Sequence, residues 1–211
     1  MQDTNQPEFS PAASPAHDGN TRPPVSPFPS LLDMVIEPFI AVLIYNDKNI
    51  DKVNNLDIIA ASSMKGDTYL YYYGTPYAIM AEVRKEISQV TKTVKSSTNA
   101  SSTAEYVITL LLRRLSERPN LIVALCLMSD LNFWLGNLSW LIERYATFPE
   151  TVTPEEKEAS YRYFCFQFSQ IIEKWAASDF SPPMLSDYVG QILAMLDSLT
   201  NIRNPDPLLS K

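Results

Sequence analysis

Histidine and cysteine, the side chains of most metal sites and nucleophilic triads, are nearly absent. The 211 residues include one histidine and two cysteines. His17 lies in a polar stretch, which argues against a histidine-dependent triad and leaves zinc without its usual ligands. Cys126 and Cys165 fall in apolar helical patterns and are interpreted as buried thiols in a reducing compartment, with a disulfide between the two helices as the open alternative. No metal and no cofactor is therefore expected.

Glycine is also scarce, with five residues in the whole chain. None of them forms a GxGxxG or GxxxxGK[ST] loop, so no phosphate-binding cradle is expected and a parallel α/β architecture is disfavoured. Carboxylates are plentiful, but Glu155, Glu156 and Glu158 cluster where a helix begins, which the helix dipole explains. No Glu-x-x-His pattern of a di-iron bundle occurs. The sequence therefore predicts a protein that is not an enzyme.

Basic clusters and long apolar runs are missing as well. The net charge is −7 with a pI near 4.8, and the longest cationic cluster is Arg113-Arg114. Binding to nucleic acid needs basic patches that neutralise phosphates, so no nucleic-acid partner is expected. The longest apolar run, Leu121–Met128, is far shorter than the ~20 residues of a membrane span. With no integral membrane segment and no secretory signal in the pattern, a cytoplasmic location is expected.

What the chain does contain is the material of a helical core. Hydrophobic residues make up 45% and aromatic residues 11% of the sequence. Residues 1–30 hold seven of the sixteen prolines and are predicted to be a disordered Pro/Ser-rich tail. Apolar spacings of three and four recur over residues 31–204, which predicts an all-α fold, a single elongated helical bundle. Residues 205–211 are expected to be frayed.

Capping residues mark several helix boundaries. Ser30 is expected to begin the first helix, which Pro38 should kink or split because its ring removes a backbone donor. Thr75 precedes a proline at the first position of another helix. Thr153 opens a capping box in front of a third. Thr68–Tyr73 reads equally well as a strand or a helix, and both alternatives stay open.

The stretch Leu121–Phe148 is predicted to form one central helix, about 40 Å long at ~1.5 Å per residue. It has two faces. The apolar face, expected to be buried, carries Leu131, Trp134, Leu138, Leu141 and Tyr145. The polar face carries Ser129, Asn132, Gly136, Ser139 and Glu143.

The centre of this helix resembles a known family. Phe133-Trp134-Leu135-Gly136-Asn137, followed by Leu138-Ser139-Trp140-Leu141-Ile142, resembles the core motif of the dilute domain. That domain occurs in the cargo-binding tails of class V myosins, in afadin and in Ras-interacting junction proteins. The similarity extends more loosely from about residue 68 onward. It implies a non-enzymatic interaction module that binds an adaptor, a cargo protein or a small GTPase.

Five residues of the predicted central helix are candidate partner contacts. Asn132, Asn137 and Glu143 lie on the polar face, and Trp134 and Trp140 would line the core or a groove. For Asn137 a structural alternative exists, in which the amide satisfies neighbouring backbone groups. Two other functions stay open: a pathogen-type helical bundle that captures a host helix in a groove, and a small helical enzyme that uses carboxylates. The sequence fixes neither the partner nor the oligomeric state.

Overall fold

The computed structural model describes residues 30–128, 130–181 and 184–200. Within these residues the chain is all-helical and contains no strand, which confirms the predicted fold class. The disordered tail predicted for residues 1–30 lies outside the described residues except for Ser30, and so does the predicted frayed end. The helices are α1 (Leu31–Tyr45), α2 (Asn55–Ala61), α3 (Gly66–Tyr72), α4 (Pro76–Ser97), α5 (Ala104–Ser116), α6 (Pro119–Leu127), α7 (Leu131–Tyr145), α8 (Pro154–Ala177) and α9 (Leu185–Thr200), with one 3-10 turn at Ile50–Lys52.

Helix α1 begins where the sequence predicts and does not break at its proline. Ser30 accepts a hydrogen bond from the Asp33 backbone N–H while the Asp33 carboxylate accepts one from the Ser30 N–H, a complete capping box. Pro38 lies inside the helix, so the expected split is wrong. Val35 and Phe39 on either side of it are fully buried. We attribute the intact helix to this packing, which offsets the hydrogen bond that the proline removes.

The ambiguous segment Thr68–Tyr73 is helical and forms most of α3. Tyr69 and Tyr73 lie four residues apart and face inward, with ring centroids 5.8 Å apart. Gly74 ends the helix with a φ of +66°, a left-handed conformation that glycine adopts without strain. Thr75 then caps α4, accepting a hydrogen bond from the Ala78 N–H as the sequence predicts. Only a short link separates α3 from α4.

Helices α4 to α9 form the larger part of the molecule. α7 packs on α8, α5 packs on α9, and α4 contacts both α5 and α6. The capping box predicted at Thr153 is present, with its partner Glu156. None of the helices in the described ranges is both long and apolar enough to cross a membrane. The innermost side chains of this bundle are Ile79, Val83, Ile87, Ile108, Leu111, Leu112, Leu138, Leu141, Phe164, Phe168, Ile172 and Ile192.

The predicted single helix over Leu121–Phe148 is wrong, because the chain forms two helices there, α6 and α7. Asp130 stands between them and accepts a hydrogen bond from the Phe133 N–H at 3.0 Å, as an N-cap does. The same carboxylate pairs with Arg84 of α4 at 2.8 Å. A capping side chain held by a neighbouring helix fixes a new helix start at this point. The apolar stripe of α7 is confirmed for Trp134, Leu138 and Leu141, which are buried, whereas Leu131 and Tyr145 at its two ends are half-buried.

Candidate functional site

The five candidate contacts of the central helix do not share one surface. Trp134 and Trp140 are buried in the core. Asn132 and Glu143 are exposed on the outer face of α7, and Asn137 is half-buried. Partner contact at the two exposed residues stays a prediction. The two tryptophans are core residues, and Trp134 also lines a small cleft between α6, α7 and α8.

Asn137 uses its amide group inside the protein. Its Oδ1 accepts a hydrogen bond from the buried Thr91 hydroxyl of α4 at 3.0 Å, and its Nδ2 donates to the Phe133 carbonyl at 2.8 Å. The Trp140 indole N–H donates to the Asn137 carbonyl at 2.8 Å. The bond from Thr91 ties α7 to α4, and the other two lie within α7. The Thr91 hydroxyl also reaches the Ser88 carbonyl of its own helix, at 2.9 Å. The geometry supports the structural alternative for this residue.

The two shortest helices form a second candidate surface. α2 and α3 are each seven residues long and are joined by the four residues 62–65. A fully buried side chain anchors each helix, Ile58 in α2 and Tyr69 in α3. A Cβ added to Gly66 would lie 3.6 Å from the Ile59 side chain, so the start of α3 approaches α2 closely. The two short helices and the turn between them are called the α2–α3 unit below.

One side chain locks this unit together. Asn55, at the start of α2, accepts a hydrogen bond from the Tyr69 hydroxyl at 3.0 Å. Its Nδ2 donates to the Gly74 carbonyl, just beyond α3, at 2.6 Å. The two bonds hold the middle of α3 and the residues just beyond its C-terminal end against the start of α2. The orientation of α3 is fixed by polar bonds as well as by packing.

The outer face of α3 is apolar and aromatic. Leu70, Tyr71 and Tyr72 are 54%, 82% and 57% exposed, respectively. The rings of the two tyrosines meet edge to face, with centroids 5.0 Å apart. Lys65, immediately before the helix, is exposed beside them. The three residues are consecutive, so they surround the exposed side of the helix rather than form a single stripe. Large exposed apolar side chains of this kind indicate a contact surface rather than core.

Two tyrosine side chains lie on the inner side of α3, Tyr69 in the core and Tyr73 half-buried. Burial raises the pKa of Tyr69 to about 12, with a smaller contribution from Tyr73. Burial also raises the pKa of Tyr73 to about 12, assisted by the carboxylates of Glu82 and Asp33. At neutral pH both hydroxyls are therefore donors, as the bond from Tyr69 to Asn55 requires.

The charge around the unit is not that of a strongly basic surface. Between residues 30 and 77 the cations are Lys48, Lys52 and Lys65, against six carboxylates. The Tyr77 hydroxyl donates a hydrogen bond to the Asp51 carboxylate, which ties the start of α4 to the 3-10 turn. The stretch from residue 30 to 77 thus contributes three lysines and no arginine.

The comparisons with known proteins give one structural similarity. No family model matches the chain, and no curated protein matches it. The fold is similar to a solved structure described as the fatty acid degradation regulator FadR from Bacillus halodurans. The TM-score is 0.54 at 13% identity, over 82% of this chain and 99% of that chain. At this identity the similarity shows the fold alone.

This similarity corrects the predicted function. The fold is similar to that of the solved regulator, so the interaction module expected from the dilute-domain resemblance is wrong, and so is its groove-forming alternative. The motif Phe133–Asn137 is explained by packing, because its aromatic residues are buried and its asparagine bonds to α4. Sequence reasoning missed this pair of short helices. The available signal was a capped short helix followed, after a four-residue turn, by the tyrosine run, and the ambiguity of that run concealed it.

Proposed function

We propose that the protein is a transcription regulator, in which α2 and α3 bind DNA and the α4–α9 bundle is the regulatory domain. The observation that carries the proposal is the clamped pair of short helices with an exposed, aromatic outer face on α3. The fold similarity to a regulator supports it. The proposal includes no catalytic step and is compatible with the cytoplasmic location expected from the sequence.

In this proposal α3 is the recognition helix. A major groove about 12 Å wide admits one α-helix, and the second helix of a helix-turn-helix unit is the one that enters it. Tyr71 and Tyr72 present hydroxyl groups that can donate to phosphate oxygens or bond to base edges, and Leu70 offers an apolar contact for a thymine methyl group. Lys65 would contact a phosphate at the start of the helix.

The charge distribution sets how such binding must behave. With three lysines in residues 30–77, this segment neutralises at most about three phosphates, so its contribution to the slope of log K against log salt should be no steeper than about −3. The sequence-based expectation of no nucleic-acid partner rested on this charge. The proposal replaces it with binding that depends on short-range contacts and has weak non-specific affinity, since non-specific binding is supplied by phosphate neutralisation.

The test is selection of DNA sequences by the full chain, followed by fluorescence anisotropy on the selected duplex. The Tyr71→Ala/Tyr72→Ala variant should lose at least tenfold in affinity, with an unchanged melting temperature because both rings are mostly exposed. The matched control is Tyr163→Ala on α8, which removes a tyrosine that is 56% exposed in the other part of the molecule. The control should stay within about twofold of the parent.

Two results would refute the proposal. One is a selection that enriches no sequence at low salt. The other is a Tyr163→Ala variant that loses as much affinity as the α3 variant, which would place the contact surface elsewhere.

A further inference from the structure

A small cleft lies where α6, α7 and α8 meet. Its volume is 140 Å³. Its apolar wall is formed by Leu125, Leu131, Trp134 and Phe166, and its polar side by Cys126, Ser169, Gln170 and Glu173. Phe166 is 48% exposed at this cleft, an unusual position for a phenylalanine that only packs within its own chain. An apolar cavity of about 150 Å³ takes up benzene, so the cleft holds a single ring.

The polar side of the cleft is acidic. Glu173 is exposed beside it, and within the described residues no lysine or arginine forms an ion pair with this carboxylate. The carboxylate is close enough to Cys126 to add to the effect of burial on that thiol, whose pKa is raised to about 12. The thiol is therefore neutral at pH 7 and acts as a soft apolar wall rather than a nucleophile.

We propose that this cleft binds a small organic cation, with an apolar body of about one ring and an ammonium group. The body lies against Leu131, Trp134 and Phe166, and the ammonium faces Glu173. An anionic ligand of the same size would meet this carboxylate with like charge, and a long acyl chain exceeds the volume. The chemistry of the cleft therefore selects both the size and the charge of its occupant.

The position of the cleft suits a regulatory ligand, a role that rests on the proposed function. Leu131 in the cleft wall follows Asp130 directly, and Asp130 pairs with Arg84 of α4 at 2.8 Å. Helix α4 begins four residues after the last residue of α3. A ligand that moves the start of α7 thus acts on the helix that continues into the recognition unit.

The experiment is calorimetric titration of the full chain at pH 7 with benzylamine, and with benzyl alcohol as its neutral counterpart. The parent should bind benzylamine about fivefold more tightly, the order expected for one partly exposed ion pair. Glu173→Gln should remove this preference and leave benzyl alcohol binding unchanged. The control Glu143→Gln, an exposed carboxylate on α7, should leave both affinities unchanged.

A second variant, Ser169→Met, fills the cleft and should abolish binding of both compounds. The proposal is overturned if neither compound binds, if both bind equally to the parent, or if Glu173→Gln keeps the preference for the amine. DNA affinity measured with and without benzylamine separates the two proposals. If DNA binds and the amine does not, only the proposal for the cleft is overturned. If the amine binds and DNA does not, the proposal for the cleft is retained and the proposal of a transcription regulator is overturned.

Discussion

The clamp formed by Asn55 is the sharpest test of the geometry of the α2–α3 unit. Asn55→Ala removes the acceptor of the Tyr69 hydroxyl and the donor to the Gly74 carbonyl, so two polar groups lose their partner at once. The Tyr69 side chain is fully buried, and its hydroxyl cannot turn to solvent without leaving the core. Asn55→Ala should therefore destabilise α2 and α3 more than the loss of a few side-chain atoms suggests.

The magnitude follows from the cost of leaving buried groups unpaired, about 1–3 kcal/mol each. Asn55 is half-buried, so water reaches part of the site, and we expect a loss of about 2–3 kcal/mol in the free energy of unfolding. For a chain of this size that lowers the melting temperature by roughly 4–12 °C. Tyr69→Phe removes only the hydroxyl and should cost about 1 kcal/mol. The affinity for DNA should fall with Asn55→Ala, because the hydrogen bonds that hold α3 in position against α2 are lost.

The assay is a double-mutant cycle in which the urea unfolding of each variant is monitored by circular dichroism. If the Tyr69–Asn55 bond exists, the two substitutions are coupled by about 1 kcal/mol, since the second removes a group already left unpaired by the first. A matched control is Asn54→Ala, which removes only a local cap on the Leu56 N–H. Effects of Asn55→Ala and Tyr69→Phe that add within about 0.3–0.5 kcal/mol would refute the clamp.

Two further outcomes are expected. Asn137→Ala should lower the free energy of unfolding by about 1 kcal/mol, because it removes the hydrogen bond between α7 and α4 while the Thr91 hydroxyl keeps the Ser88 carbonyl as its acceptor. Asn132→Ala on the exposed face should change it by less than about 0.5 kcal/mol, and equal effects in thermal unfolding would contradict this reading. Burial raises the pKa of Cys165 from 9.0 to about 12 and that of Tyr69 from 10.0 to about 12. Both groups have a higher pKa in the folded state than in the unfolded state, so their contribution to the free energy of unfolding is complete below pH 9 and should be lost progressively between pH 9 and 12. Urea midpoints that stay constant over this range would disprove it.

The elements that sequence alone anticipated are those whose signals are local. The capping boxes at Ser30 and Thr153 need only residues within three positions, and both are present. The apolar stripe of α7 is a matter of spacing within one helix, and its central residues are buried as expected. Pro38 shows the limit of a local rule. The proline signal for a break is real, but the packing of Phe39 and its neighbours outweighs it.

The candidate site could not be predicted from patterns within short stretches of sequence. Whether the tyrosine run is strand or helix depends on Asn55, fourteen residues from Tyr69, and on burial that no spacing within six residues reveals. A resemblance over a few aromatic residues pointed instead to α7. There the side chains prove to be core, because α4 and α8 cover them.

The sequence by itself determined an all-α protein with no membrane-length apolar run, an acidic charge and well-marked helix starts. These properties follow from composition and from hydrogen bonds that close within one turn. The tertiary structure decided that Leu121–Phe148 is two helices, because the Asp130 cap is held by Arg84 from α4. It also decided that Tyr69 faces the core while Tyr71 faces outward, because α2 occupies one side of α3 and leaves the other open.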